Sequence, residues 1–156
     1  EPWRNAANAL SGLGFGLAGS IGDKLVKHPG SDGVWAGLWL GGIAFKYQPQ
    51  PKDLAAECLR ALSLGVDVVT TSGDATGKTC DPTRVARIRE AVGPNPCIGV
   101  ASGVNDKNVG ELVAAGANLF AVASSIALNG NFHQTDSKKL ERLLAAATSS
   151  VARSRA

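Results

Sequence analysis

Ser102-Gly103 and Ser124-Ser125 are the residues of this chain whose types and spacing best suit chemistry. Each pair directly follows a short apolar run, Cys97-Ile98-Gly99-Val100-Ala101 in one case and Leu119-Phe120-Ala121-Val122-Ala123 in the other. Parallel strands that end side by side in small hydroxyl and glycine residues offer backbone N–H groups and a helix N-terminus to an anion. A phosphate fits there. The competing reading is that small residues merely let a strand turn into a helix. Between the two runs, Asp106 to Ala115 reads as a helix capped by Asn105, and Asn108 is a further candidate for ligand contact.

A second loop carries another set of candidates. Thr71-Ser72-Gly73-Asp74-Ala75-Thr76-Gly77-Lys78-Thr79 lies between a strand and a helix and invites comparison with a nucleotide-binding P-loop. The match fails, because Ser72 stands where the first glycine belongs and the helix begins at Asp81 or Pro82 rather than at Lys78. Above the mouth of a sheet, Thr76, Gly77 and Lys78 can instead contact an anionic substrate while Asp74 accepts a proton. The alternative is a solvated Gly-rich loop. Lys46, among apolar residues, needs a partner or a cavity, pointing either toward a ligand or outward between helices. Cys80 and His133 are incidental, and no carboxylate pair, metal-ligand set or Ser-His-Asp arrangement can be assembled. No cofactor is expected.

These candidates sit on a regular framework. Strands are expected at Ile43–Tyr47, from Val66 to Thr71, from Cys97 to Ala101 and from Leu119 to Ala123. The helices are expected over 52–64, 82–92 with Asp81 as cap and Pro82 first, 106–115, and from Thr135 or Asp136 to about Ala147. Four successive βα units imply a parallel sheet whose active face is the C-terminal ends of its strands. Three parts follow: a Gly-rich segment over 1–41, the βα units over 42–147, and a tail over 148–156. In the first, Gly12 and Gly16 have a GxxxG spacing of little weight here, residues 28–33 are turn-forming, and Trp35 and Trp39 are spaced to cover a core.

A formal charge of +3 is too small to argue for nucleic acid, and no stretch approaches the roughly 18 apolar residues of a membrane span. Three cysteines without paired spacing give no disulfide framework and point to a reducing intracellular or organellar compartment. The chain opens on Glu1 and contains no Met, so it is expected to be processed or partial.

The ordered motifs resemble those of the BtpA family. They are Ile43 to Tyr47; Val66-Asp67-Val68-Val69 with Ala75-Thr76-Gly77-Lys78 and Asp81; Ala101-Ser102-Gly103-Val104 with Asn108; and Ala123-Ser124-Ser125-Ile126 with Asn129-Gly130 and Asp136. The resemblance covers about residues 42 to 147. It implies the C-terminal half of a phosphate-binding TIM (βα)8 barrel, a phosphate or phosphosugar site at the last two strands and, in cyanobacteria, a thylakoid-associated role in photosystem I biogenesis. Ala101 and Ala123 replace glycines usual in the family, so the alternative is a non-catalytic assembly or structural subunit with a decayed site. The chain is well short of the roughly 250 residues of a closed barrel. Either a missing N-terminal half or a protein partner completes it, or the chain is an open flavodoxin-like sheet. The expected partners are thus a phosphorylated small molecule and a protein surface.

Overall fold

The structure, a computed structural model, describes residues 38–154. The Gly12/Gly16 spacing, the turn residues 28–33 and Trp35 lie outside the described residues. In chain order the elements are β1 (Leu40–Gly42), α1 (Leu54–Ser63), β2 (Val68–Ser72), α2 (Pro82–Val92), β3 (Cys97–Ala101), α3 (Val109–Ala114) and β4 (Leu119–Ala121). A hairpin of β5 (Ala127–Leu128) and β6 (Asn131–Thr135) follows, then α4 (Ser137–Ser154).

The fold is α/β, with one four-stranded sheet in the order β1-β2-β3-β4 and every pairing parallel. No strand skips a neighbour. A flavodoxin-like sheet reverses direction at a switch point, whereas consecutive barrel units add strands in one direction as seen here. The helices follow the same order, α1 against α2, α2 against α3 and α3 against α4.

Side chains alternate across the strands and so divide the sheet into two faces. Val69, Ile98 and Val100 share one buried core with Cys58 and Ala61 of α1, Val85 and Ile88 of α2, and Val109 and Leu112 of α3. The intervening positions Val68, Thr70 and Gly99 lie on the other face, where Val68 and Thr70 crowd Gly99 so closely that an added methyl would sit 3.0 Å from each. Burying one large aliphatic side chain contributes about 1.5–3 kcal/mol, so the helix-facing layer dominates stability.

Local chemistry explains the helix starts. Asp53 accepts the Ala56 N–H at 3.0 Å ahead of α1, whose Leu54, Cys58 and Ala61 form the buried stripe. Asp81 accepts the Thr83 N–H at 2.8 Å, Pro82 occupies the first position of α2, and Gly93 ends it with φ 76. Asp136 accepts the Lys139 N–H at 3.1 Å at the start of α4.

The strand bounds shift by up to two residues at β2 and β4, and four elements differ more from the sequence-based expectation. The first strand lies at Leu40–Gly42 rather than Ile43–Tyr47, across the expected boundary between 41 and 42. Ile43 adds one more rung to Thr70 O, and then Ala44 (φ 47) and Tyr47 (φ 63) take left-handed conformations that no strand admits. Lys46 is therefore a loop residue.

The third helix starts at Val109 rather than Asp106. The residues before it form a turn in which Asn105 Oδ1 accepts the Lys107 N–H and Asn108 Oδ1 accepts the Asn105 N–H, both at 2.9 Å. These bonds shape the turn ahead of the helix, and Asn108 at the N-cap makes no side-chain bond to a helix amide. The segment after β4 is not a plain loop, since Asn129 (φ 50) and Gly130 (φ 77) turn β5 back onto β6 before α4 begins. α4 itself continues past Ala147 to Ser154.

Candidate functional site

The C-terminal ends of β1 to β4 all open on one side of the sheet, as parallel strands require. Four connections gather there: residues 43–53, 73–81, 102–108 and 122–126. The second organises the rest. Gly73 is buried, with no room for a methyl between its Cα and the carbonyls of Lys78 and Thr79, so residues 73–79 close into a tight loop. Lys78 N–H bonds Ala75 O at 3.1 Å within it.

Consecutive amides of this loop tie down its two neighbours. Thr76 N–H donates to the Tyr47 hydroxyl at 3.2 Å, and that hydroxyl donates to Thr76 Oγ1 at 3.2 Å. Gly77 N–H donates to Ser102 Oγ at 3.0 Å. The loop end at Lys78 packs directly on Gly103, whose Cα has no room for a side chain. Of the expected site residues, Thr76, Gly77, Lys78, Ser102 and Gly103 are thus brought together.

Ser102 (φ 82) and Gly103 (φ 70) are both left-handed. Glycine adopts this conformation freely, whereas serine is strained in it, and such strain concentrates where a fold serves a ligand or a close approach. The two alanines that replace the resembled family's glycines, Ala101 and Ala123, are not among the positive-φ residues. Their methyls therefore impose no backbone strain.

Asn108 is turned inward: beyond its bond from Asn105 N–H, its Nδ2 donates to Gly103 O at 2.8 Å, and Asn105 Nδ2 reaches the same carbonyl at 3.3 Å. Its visible work is to hold the 102–108 loop in shape. Ser124 and Ser125 lie in a turn closed by Ile126 N–H on Ala123 O at 3.1 Å, directly after the strand that pairs Ala121 with Ala101. Ser124 is exposed, while Ser125 Oγ is enclosed without a hydrogen-bond partner among the described residues.

Charge is distributed unequally over this face. Asp74 pairs with Arg84 Nη2 at 2.8 Å, and Arg84 Nη1 also donates to Ala44 O at 3.2 Å and Ser72 O at 2.7 Å. Asp74 is thus an ion-pair partner in a clamp on the first two strand ends, an arrangement that leaves it poorly placed as a base. Lys46 donates its backbone N–H to Ser72 Oγ at 2.8 Å, and its ammonium stands 5.8 Å from the Phe45 ring. Neither Lys46 nor Lys78 has a carboxylate within ion-pair distance among the described residues. Two unneutralised cations favour an anionic ligand.

The thiols are poor nucleophiles. Burial pushes Cys80 up to about 11, against a downward pull from Arg84, and burial likewise raises Cys58 to about 11. Tyr47 is lowered from its usual 10.0 by its two bonds to Thr76, with Lys46 adding to the effect. His133 is exposed on β6, remote in the chain from the four loops. Among the described residues, no group of three or more His, Cys, Asp or Glu is placed to hold a metal, and no helix is long and apolar enough to cross a membrane.

Sequence reading missed Arg84 and Tyr47. Arg84 reaches a carbonyl 40 residues away, and no local pattern announces such a partner.

Solved structures with the same arrangement decide the fold. The native KDPGal structure aligns with a TM-score of 0.54 at 15% identity, covering 73% of this chain and 50% of that one. A thiamine phosphate pyrophosphorylase from Pyrococcus furiosus aligns with a TM-score of 0.53 at 18% identity, covering 71% of this chain and 48% of that one. The chain is a partial TIM-type barrel. A designed cube-shaped protein cage built by fusing symmetric oligomeric domains also matches, with a TM-score of 0.53 at 13% identity, covering 69% of this chain and 39% of that chain. The partial barrel thus spans at most about half the length of these matched chains. No protein-family model and no curated protein sequence matches it.

Proposed function

We propose that the loops after β2, β3 and β4 bind the phosphate of a small phosphorylated molecule such as a phosphosugar. The observation that carries this reading is the pair Ser102-Gly103, left-handed at the end of β3 and beside the turn that holds Ser124 and the unpartnered Ser125 Oγ. Ser102 Oγ accepts the Gly77 N–H and keeps its own proton to donate, Ser125 Oγ has a proton without a partner among the described residues, and Lys78, whose backbone packs on Gly103, puts a cation on the same loop. One structurally similar protein is a thiamine phosphate pyrophosphorylase, named for a phosphorylated compound, which agrees with such a ligand. Asn108 holds the loop's shape from behind, and Thr76 fixes its tip. The motif resemblance to the BtpA family supports placing the protein with that family and, through it, in photosystem I biogenesis.

Titration with inorganic phosphate tests the site. Measurable binding that weakens about tenfold in Ser102→Ala or Ser125→Ala, as expected for one lost hydrogen bond to a charged group, supports it. No binding to the folded wild type at millimolar phosphate overturns it.

A second reading has its own observation. The Gly77–Ser102 bond and the Lys78 backbone packed on Gly103 already occupy part of the phosphate position. That self-filling favours a non-catalytic assembly subunit with a decayed site, completed by a protein partner or by further barrel units. Under that reading phosphate does not bind, and the chain co-purifies stoichiometrically with a protein.

A further inference from the structure

Tyr47 is the residue on the active face that the fold itself least explains. A bulky side chain in the left-handed region is an outlier, and the surrounding structure must hold it there. It does so from both ends. The backbone is fixed by a closed turn, with Gln48 N–H on Phe45 O at 3.0 Å and Phe45 N–H on Gln48 Oε1 at 3.1 Å, and by the neighbouring Lys46 N–H on Ser72 Oγ. The far end is fixed by the two hydroxyl bonds to Thr76. Between these anchors the residue remains 75% exposed.

A side chain whose only task was to brace the 73–79 loop would need its hydroxyl and not an exposed, immobilised ring. An aromatic face held rigid and left open is instead what a stacking contact requires, because the ordering cost is met before the ligand arrives. Its place relative to the phosphate site is set by the loop. The Tyr47 hydroxyl and Ser102 Oγ contact successive amide nitrogens, Thr76 N and Gly77 N, which puts them within about 10 Å of each other given the length of one peptide unit.

We infer that Tyr47 selects ligands in which a planar ring is attached to the phosphate, the ring lying on the tyrosine face while the phosphate sits at Ser102 and Ser125. This rests on the phosphate reading above and adds the class of molecule. Lys46, the chain neighbour of Tyr47, carries its ammonium over the Phe45 ring and close enough to act on the Tyr47 hydroxyl, and so can meet a further polar group of such a ligand.

Three probes of known composition separate the possibilities: inorganic phosphate, glycerol 1-phosphate and phenyl phosphate, each titrated into wild type, Tyr47→Phe and Tyr47→Ala. In wild type, phenyl phosphate is expected to bind about tenfold more tightly than glycerol 1-phosphate, the size of one stacking contact. Tyr47→Phe keeps that preference, whereas Tyr47→Ala abolishes it, so that the two esters bind alike whatever the change in affinity for inorganic phosphate. Equal affinities for the two esters in wild type overturn the selection by Tyr47 and leave the phosphate site standing. A Tyr47→Phe variant that loses the phenyl phosphate preference as fully as Tyr47→Ala shows that only the hydroxyl matters and overturns it too. If none of the probes binds folded wild type, the phosphate site and this inference fail together.

Discussion

Two arginines on the same helix hold opposite ends of the sheet, and the difference between them separates a closed, structural end from an open one. Arg89, at the N-terminal ends of the strands, donates Nη1 to Gly93 O at 2.7 Å and Pro96 O at 2.9 Å, and Nη2 to Gly116 O at 2.7 Å and Asn118 Oδ1 at 2.9 Å. Every one of these acceptors is neutral, and Asn118 Oδ1 also takes the Ile98 N–H at 2.9 Å. Gly116 (φ +107) lies so close to the arginine stem that a methyl there would be 2.9 Å from its Cγ. Arg84, at the C-terminal ends, shares its guanidinium between two carbonyls and an exposed carboxylate, in a region with three strained residues, Ala44, Tyr47 and Ser102. One end spends its polar groups on itself. The other leaves hydroxyls, two lysines and an aromatic ring facing out.

The largest effect should come from the structural end. Arg89→Ala removes four bonds from a cation and strands three carbonyls, for an expected loss of about 3 kcal/mol in urea unfolding. A loss below that of Arg84→Ala would break the contrast. Gly103→Ala comes next, at about 2 kcal/mol, because the new methyl meets the Lys78 backbone in a conformation unfavourable to any side chain. Its readout is the thermal midpoint together with phosphate affinity, both of which should fall.

Arg84→Ala should cost about 1–2 kcal/mol and should loosen the loops above β1 and β2, seen as faster amide exchange over 73–79 than over 116–118, whose amides are bonded at the opposite end of the sheet. Alkali sharpens the comparison further. Cys58 and Cys80 titrate near 9 in the unfolded chain and at about 11 when folded, so the stability they confer is complete below pH 9 and is lost as pH rises from 9 to 11. Urea midpoints measured at pH 8 and pH 10.5 should differ, and the difference should shrink in a Cys58→Ala, Cys80→Ala variant. A thiol reagent at pH 8 should label Cys80, next to the 73–79 loop, before Cys58 within α1. The smallest effect is Phe132→Ser on the exposed hairpin, within about 0.5 kcal/mol.

Much of the framework was legible because its signals are local. Asp81-Pro82 marks the start of α2, the run from Cys97 to Ala101 is β3 to the residue, and the four parallel units follow from alternation alone. β1 was misplaced because two glycines disguise a strand, while Ile43 to Tyr47 has strand-forming residues in a segment that the Ser72, Gln48 and Thr76 contacts bend into a loop. The hairpin was missed although Asn129-Gly130 is its strongest marker, since β5 is two residues long and β6 is polar and exposed. At the site, Ser102 and Ser124 could be placed by finding the strand ends. The left-handed backbone of Ser102 and the exposure of Tyr47 depend on partners distant in sequence, which spacing does not encode.

The unbroken order of the sheet bears on how the chain assembles. Each strand meets only the strand of the unit before or after it, so every pairing closes a loop of one βα unit and none waits for distant segments to meet. Loop-closure entropy is then met in small increments, and folding can advance from β1 toward β4 in the direction of synthesis, each completed edge serving as the template for the next strand.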